Sequence, residues 1–392
     1  MFTSIKFRLY PTQEQTILFQ KTVGCCRLIY NKALQHKIKI YKKTGRSVSQ
    51  YDLMEKLTHV KKREEYSYLN EVDSTALQNS LKDLHQSYQN FFKCGRGFPR
   101  FKSKYSSRHS FRCSMSNAID SNSKTLNIGK YKHIKAKGSF DLYQFEKIVS
   151  VTVSLDSDGN WYASVLIKKD TTIKDHVHKY ESCGIDLGVK KPVVIAYENH
   201  DSSISIKQSG FDFKRRLSRA EQRRKRYQRS YARKKKGSSN QSKASKLLAK
   251  AFYREKCIRK DWIEKTTHGI ASNCRVVVVE DLNIKGMTAS AKGTMENPGK
   301  NVSAKSGLNR EMRRLGLGTL ILRLESKVSK YQGTFIKVDP KHTSQRCNKC
   351  GCVDKRNRNS QSEFKCVSCG HTDNADYNAA RNIRQKGLSL AA

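Results

Sequence analysis

Residues 274–284 read CRVVVVEDLNI, and this stretch decides the fold of the carboxyl half of the chain. An uninterrupted run of four valines predicts a strand that is buried on both faces of a sheet. Glu280 follows the last valine directly, so it stands at the carboxyl end of that strand. Because ligands bind at this edge in open α/β sheets, Glu280 is a candidate functional residue.

A second acid, Asp186, lies upstream in the sequence GIDLGVKK, between strand residues and a glycine. A carboxylate inside an apolar strand is costly unless a charged partner or a metal ion stabilises it. Strands are predicted first after residue 181, followed by long charged helices that alternate with single strands. This order predicts an α/β layer around one sheet.

A third acid, Asp376, begins the segment DYNAARNI, whose composition is typical of a helix start. A simple N-cap is the alternative interpretation of this residue. Two strand-borne acids and one helix-borne acid, brought together, would form an oxygen-rich cradle for paired Mg²⁺ ions. Two such ions about 4 Å apart would stabilise both the attacking water and the departing oxygen in phosphodiester hydrolysis.

Five of the twelve cysteines lie between residues 347 and 369. Four of them, Cys347, Cys350, Cys366 and Cys369, have the spacing C-x₂-C-x₁₅-C-x₂-C, which predicts a closed structural zinc site. Cys352 and His371 are spare potential ligands and are interpreted as neighbours that do not bind the metal. The basic residues of this knuckle suit nucleic-acid contact, and a purely structural role is the alternative.

Lysine and arginine total 78 against 34 acids, a formal charge of +44 that predicts a polyanionic partner, namely nucleic acid. A membrane-surface protein and a merely solvated basic face are the alternatives. Residues 214–236 carry 13 basic residues and one acid, and we expect phosphate contact there. The candidates are Arg215, Arg216, Arg223, Arg224 and Arg226. With no signal-peptide pattern and no apolar run of about 18 residues, we expect a cytoplasmic protein that does not enter a membrane.

The amino half predicts a helical unit over residues 12–93 between strand-rich segments. Those segments, residues 1–11 and 94–180, could close a small β-barrel around the helices. Basic residues in this region suit contact with nucleic acid, and stacking or core packing are the alternatives for the aromatic residues beside them. These aromatic residues are Phe98, Phe101, Tyr105 and Phe111. Residues 285–308 lack periodicity and predict a long mobile loop beside the valine strand.

Seven blocks spread over nearly the whole chain resemble the TnpB family in that family's order. TnpB proteins are transposon-encoded (OrfB-type) RNA-guided DNA endonucleases related to type V CRISPR effectors. The blocks are FRLYPTQEQ, GCCRLIYN, GFPRFKSK, GIDLGVKK, VVVVEDLNI, KHTSQRCNKCG and NADYNAARNI.

The resemblance implies an α+β multidomain protein. A wedge-type β-barrel domain would comprise residues 1–11 and 94–180, with a helical recognition domain, 12–93, inserted. An RNase H-like (RuvC) α/β nuclease domain would comprise residues 181–343 and 371–392, split by a zinc-knuckle insertion, 344–370, that binds target nucleic acid. The family's three metal-binding acids carry over to Asp186, Glu280 and Asp376, whereas Asp281 and Asp373 match no catalytic position.

The resemblance also implies a transposon-derived guide RNA, a double-stranded DNA target with a short adjacent motif, two Mg²⁺ ions and one structural Zn²⁺ ion. Three residues are candidates for reading that adjacent motif because of their place in the helical unit: Gln50, Thr75 and Gln78. The resulting hypothesis is an RNA-guided, Mg²⁺-dependent DNA endonuclease in a prokaryotic, nucleoid-associated setting. The alternatives are an RNA-guided repressor that does not cleave and a transposase that joins strands.

Overall fold

In a computed structural model the chain forms two compact units, residues 1–171 and 172–392. The structure describes residues 2–105, 109–114, 119–138, 140, 147–168, 176–198 and 203–391. Within these ranges, every helix is too short or too polar to span a lipid bilayer.

The amino-terminal unit combines long helices with a sheet. Its helices are α1 (Gln13–Thr44), α2 (Gln50–Lys61) and α3 (Ser74–Cys94), with a 3₁₀ helix at Glu64–Asn70. Its strands are β1 (Phe2–Tyr10), β2 (His109–Cys113), β3 (Ile119–Asp120), β4 (Thr125–Ile128), β5 (Tyr131–Lys137), β6 (Lys147–Leu155) and β7 (Trp161–Lys168).

The strands of this unit form one antiparallel sheet in the order β2-β6-β7-β1-β5-β4-β3. Helix α1 begins with the expected capping box, in which Thr12 and Gln15 exchange hydrogen bonds of 3.2 and 3.0 Å. Phe19 of α1 is fully buried against the rings of Tyr131 and Trp161 on the sheet. Helices and sheet therefore share one hydrophobic core. The end strands β2 and β3 are not paired with each other among the described residues, so barrel closure stays a prediction.

The carboxyl-terminal unit has a central sheet with helices on both faces. Its strands are β8 (Tyr180–Asp186), β9 (Val193–Glu198), β10 (Ile204–Ser209), β11 (Cys274–Glu280), β12 (Thr334–Val338), β13 (Glu363–Lys365) and β14 (Thr372–Asn374). Its helices are α4 (Phe211–Ala232), α5 (Ser239–Ala271), α6 (Ile284–Met287), α7 (Val302–Leu315), α8 (Leu317–Lys330) and α9 (Ala375–Ala391), with a 3₁₀ helix at Lys355–Asn357.

The central sheet has the order β10-β9-β8-β11-β12. Strands β8, β9 and β10 are antiparallel, whereas β8, β11 and β12 are parallel. The valine strand is buried on both faces, as predicted: Val277 and Val279 pack in the core that contains residues of α5 and α8, and Val278 packs against Ile383 of α9. The α/β layer expected from the sequence is thereby confirmed.

The segment 285–308 differs from its prediction as one long loop. Helix α6 occupies its start and α7 begins at Val302, so only residues 288–301 lie outside helices. Asn309, in the second half of α7, donates its side-chain amide to the carbonyls of Thr288 and Ala289 at 3.2 and 2.9 Å. Such tertiary contacts stabilise a helix whose Gly- and Ser-rich start has weak intrinsic propensity.

Candidate metal centres and nucleic-acid surfaces

Asp186 and Glu280 lie side by side at the carboxyl ends of two adjacent parallel strands. The register pairs Ile185 of β8 with Val279 of β11, and the two acids are the next residues on each strand. The sheet therefore brings together two carboxylates that are 94 positions apart in the sequence. This is the sheet edge at which ligand sites form.

Helix α9 crosses the same sheet closely enough to bring its first turn to this edge. A Cβ atom on Gly184 of β8 would lie 2.2 Å from the carbonyl oxygen of Ala380 and 2.5 Å from the backbone nitrogen of Arg384. Only glycine permits that approach of helix and strand. Asp376 is the second residue of α9 and stands in its first turn.

The charges on these acids interact. Burial raises the pKa of the Asp186 carboxyl to about 7, and the charges of Glu280 and Asp376 act in the same direction, with Arg358 opposing them. Burial also raises the pKa of Glu280, and a hydrogen bond from the Thr343 hydroxyl, 2.6 Å from Oε1, opposes that rise. Asp186 is thus close enough to Glu280 and Asp376 for both to repel its carboxylate, which is the condition that a bound cation relieves.

Asp376 is not the cap of its helix, contrary to the alternative left open by the sequence. Asn374 fills that role, since its Oδ1 accepts the backbone N–H of Asp376 at 3.1 Å. The Asp376 carboxylate instead pairs with the ammonium of Lys191 at 3.3 Å. The Asp376 side chain therefore does not cap the helix, and the Lys191 ammonium holds it at the sheet edge where Asp186 and Glu280 lie.

Three carboxylates supply oxygen atoms, which are the ligands that Mg²⁺ takes. The four cysteines supply sulfur instead, and among the described residues their thiols form a group of potential metal ligands whose ligand atoms all lie within 4.8 Å of one another.

The four cysteines gather as their spacing predicts. The Cys347 and Cys369 sulfurs are 3.7 Å apart and those of Cys350 and Cys366 are 3.5 Å apart. A tetrahedral zinc site with Zn–S bonds of about 2.3 Å needs sulfur separations close to these. The backbone N–H of Cys369 lowers the pKa of the Cys366 thiol to about 6, which favours the thiolate that binds metal. Cys352 and His371 are not members of the group.

Each cysteine pair lies on a tight turn that ends in a glycine with positive φ. Gly351 follows the first pair with φ of 78° and Gly370 follows the second with φ of 68°. The backbone N–H of Gly351 donates to the Cys347 carbonyl and that of Gly370 to the Cys366 carbonyl, at 3.0 and 3.1 Å. Left-handed glycines are what such turns require.

The two remaining acids near the centre, for which no catalytic position was expected, have settings of their own. Asp373 of β14 forms an ion pair with Arg381 of α9. Asp281 is exposed, and its backbone N–H donates to the carbonyl of Val338.

Several residues of this centre were not identified from the sequence. They are Lys191, Thr343, Arg358, Asn378 and Asn382. Asn378 and Asn382 lie four positions apart in the NAARNI segment, and both are buried. Two polar residues at helical spacing among apolar ones were the one signal available in the sequence. The others reach the acids through tertiary packing alone.

Helix α4 carries the basic run, but its arginines differ in availability. Arg224 is paired with Glu255 of α5 at 2.6 Å and lies against Phe252, so its guanidinium joins the two helices. Arg215 and Arg216 pair with Asp212 and Asp261. Arg223 and Arg226 are exposed and form no ion pair among the described residues. These two are therefore the better placed for phosphate contact.

The aromatic candidates also divide. Phe111 is 4% exposed and packs against Phe19 and Tyr131, so core packing is the alternative that holds for this residue. Phe98, Phe101 and Tyr105 are 46%, 57% and 85% exposed and remain accessible for stacking.

The motif-reading candidates occupy different settings in the helical unit. Gln50 begins α2 and lines a cavity of about 350 Å³ together with Tyr51 and His85. Gln78 is exposed on α3. The hydroxyl of Thr75 donates to Asp73, which caps α3, so its side chain is already engaged.

Three family models match the chain. They are described as "Helix-turn-helix domain" over residues 1–46, "Probable transposase" over 164–291 and "Cas12f1-like, TNB domain" over 318–383.

Two relatives match over almost the full length. The chain is 32% identical to "Putative RNA-guided DNA endonuclease InsQ" of Escherichia coli (strain K12), over 99% of this chain and 93% of the relative. It is 30% identical to a "Putative RNA-guided DNA endonuclease" of Streptomyces pristinaespiralis, over 99% and 90%. Among solved structures, the "Cryo-EM structure of the Cas12f1-sgRNA-target DNA complex" aligns with a TM-score of 0.57 at 19% identity, over 95% of this chain and 83% of that one. That last likeness concerns the fold.

Proposed function

Because the chain belongs to the TnpB (OrfB-type) family of RNA-guided DNA endonucleases, we propose that it cuts double-stranded DNA at sites selected by a guide RNA. The guide would pair with one target strand, and the protein would read a short motif beside the target. The formal charge of +44 suits a protein that holds two polyanions.

The nuclease domain in this proposal is RNase H-like and spans residues 181–343 and 371–392. Three antiparallel strands joined to two parallel ones, in the order β10-β9-β8-β11-β12, support that assignment. Residues 344–370 would be an insertion that contacts target nucleic acid. Residues 1–11 and 94–180 would form the wedge domain and residues 12–93 the recognition domain.

The single observation that carries the proposal is the convergence of Asp186, Glu280 and Asp376 at one sheet edge. Burial, and then repulsion by Glu280 and Asp376, hold the pKa of Asp186 far above that of an ordinary aspartate, so the site is organised for positive charge. Bound there, two Mg²⁺ ions would supply a nucleophile at neutral pH and offset charge on the leaving oxygen. The three carboxylates would orient the ions, and Thr343 would hold the Glu280 carboxylate in place.

The cysteine group would hold one structural zinc ion. Four thiolates complete a tetrahedral shell, so this ion would have no open position for substrate. Its role would be to fold the knuckle, whose few apolar side chains supply little core of their own.

The alternatives are less well supported. A repressor that binds without cleaving does not need the three acids, yet all three are present and adjacent. A strand-joining transposase also uses such acids, but the two relatives that are 32% and 30% identical to this chain are named as putative RNA-guided DNA endonucleases.

The test is to express the chain with its flanking DNA, sequence the RNA that co-purifies, and challenge plasmids that carry a matched target and a randomised flank. We expect Mg²⁺-dependent loss of plasmids with one flanking motif. Asp186→Ala should abolish cutting and leave guide binding intact, whereas Asp281→Ala, at an exposed neighbouring acid, should cut normally. Absence of both bound RNA and plasmid loss would refute the proposal.

The nucleic-acid contacts are a separate part of the proposal. We expect Arg223 and Arg226 to contact phosphate, and Gln50 and Gln78 to lie near the target-adjacent motif. Gln50→Ala or Gln78→Ala should change which flanking motif is depleted, while Arg223→Ala should weaken binding uniformly across sequences. We also expect the protein to act at the nucleoid in the prokaryotic cytoplasm.

A further inference from the structure

Two asparagines on α9, Asn378 and Asn382, are buried and lie one helical turn apart. They are 0% and 4% exposed. A buried amide is costly unless its hydrogen bonds are made within the protein, so its partners show what it holds in place.

Both amides hold the chain segment that leads into the zinc site. Asn378 Oδ1 accepts the backbone N–H of Asn348 at 3.0 Å, and its Nδ2 donates to the Arg346 carbonyl at 2.8 Å. Asn382 Nδ2 donates to the carbonyls of Thr343 and Arg346 at 2.9 and 2.6 Å. A reversed Asn382 amide would place its oxygen against two carbonyl oxygens, so the orientation of this group is fixed.

The segment so held connects the two metal centres. At one end, the Thr343 hydroxyl donates to Glu280 of the acidic edge at 2.6 Å. At the other end, Cys347 is a member of the zinc group. On the helix side, Asp376 is two residues before Asn378, half a turn away along α9.

We propose that Asn378 and Asn382 are positioning residues that hold Asp376 and Glu280 in a fixed relation to the zinc knuckle, so that zinc retention and the geometry of the nuclease centre depend on each other. The proposal rests on the proposed nuclease function for its catalytic half. Loss of the Asn382 amide frees the Thr343 carbonyl, which loosens the Thr343–Glu280 hydrogen bond. Loss of the Asn378 amide frees Asn348, and either loss weakens the hold on Arg346, the residue before Cys347. Mutation of residues that act through a metal ligand in this way typically lowers metal affinity or activity by about 10- to 100-fold.

The test compares Asn382→Ala with Gln385→Ala in the full-length, guide-bound protein. Gln385 lies on the same helix but is exposed, so it is the matched control. Asn378→Asp is a second variant, which keeps the oxygen that accepts from Asn348 and loses the donor to Arg346, in case the alanine variant does not fold. The measurements are the rate of zinc extraction by a chromogenic chelator, the Mg²⁺ concentration for half-maximal cleavage, and guide-RNA affinity.

We expect both asparagine variants to release zinc about 10-fold faster and to need about 10-fold more Mg²⁺, with guide affinity within about twofold of wild type. Gln385→Ala should match wild type in every measurement. Zinc extraction at the wild-type rate would overturn the coupling. Reduced cleavage with an unchanged Mg²⁺ concentration for half-maximal cleavage would also overturn it. A general loss of folded protein gives that result, since it lowers the rate without changing that concentration.

The zinc measurement needs no cleavage, which separates this proposal from the proposed function. If the wild-type chain cuts no DNA, the proposed function fails and zinc extraction alone decides the coupling. Faster extraction from the asparagine variants than from Gln385→Ala then supports it, and equal rates overturn it.

Discussion

Replacing Asp186 with asparagine should stabilise the metal-free protein while abolishing DNA cleavage. Burial and the neighbouring acids raise the pKa of this carboxyl from 3.8 to about 7 in the folded state. Because the folded pKa is raised, the contribution of this carboxyl to the free energy of unfolding is fully present below about pH 4 and is lost as the pH rises through 7. Asparagine has no charge to repel Glu280 and Asp376, so the variant does not lose this stabilisation as the pH rises.

The size of the effect follows from the pKa difference. About 3 pKa units at about 1.4 kcal/mol each give a destabilisation of about 4 kcal/mol for the ionised carboxylate above pH 7. Part of this cost is already present at pH 5. The difference in free energy of unfolding between Asp186→Asn and wild type should therefore grow by about 2 to 3 kcal/mol between pH 5 and pH 8. For a unit of the size of residues 172–392, which contains Asp186, each kcal/mol moves Tm by about 2 to 4 °C.

The assay is chemical denaturation in EDTA at a series of pH values, followed for wild type, Asp186→Asn and the control Asp281→Asn. Added Mg²⁺ should reduce the difference, because wild type would bind it at the proposed three-acid site and gain stability with the logarithm of the ligand excess over Kd. An advantage of Asp186→Asn that does not change between pH 5 and pH 8 would refute the electrostatic reasoning. So would the same pH dependence in Asp281→Asn, at an acid that is exposed and outside the trio.

Three further predictions concern the surroundings of the site. Thr343→Val removes a hydrogen bond that lowers the pKa of Glu280, so the pH at which cleavage reaches half its maximum should move upward, as measured in a pH–rate profile. Gly184→Ala should destabilise the protein by about 1 to 3 kcal/mol in denaturant melts, because its methyl group would meet the α9 backbone, whereas Gly307→Ala, which meets nothing within 4 Å, should be neutral or stabilising. Arg223→Ala should lower the salt slope of guide binding by about 1, measured by titration at several salt concentrations, whereas Arg224→Ala should mainly lower Tm through loss of its pair with Glu255.

The acids and the cysteines were accessible to sequence reasoning for different reasons. Four valines ending in Glu280 already place a carboxylate at a sheet edge, and the cysteine spacing matches a geometry that few other sites use. By contrast, Asp376 by itself was compatible with a helix cap. The structure assigns the cap to Asn374, two residues earlier, a distinction that depends on one hydrogen bond.

The basic run shows a limit of composition. Thirteen basic residues between 214 and 236 predict a surface for phosphate, but composition cannot show which of them face a partner helix. Arg224 turns out to be an internal ion-pair residue, and Phe111 a core residue. The role of each of these two residues depends on which face of its helix or strand is covered. Packing between segments that are distant in the sequence decides that.

The sequence by itself determined the sheet-edge placement of Glu280, the grouping of the four cysteines and the large excess of positive charge, because strand burial, cysteine spacing and net charge are local or additive properties. Only the tertiary structure decided that residues 343–348 join the zinc site to the acids through Asn378 and Asn382. The hydrogen bonds of these buried amides span 30 to 39 positions, and no local pattern specifies partners so far apart.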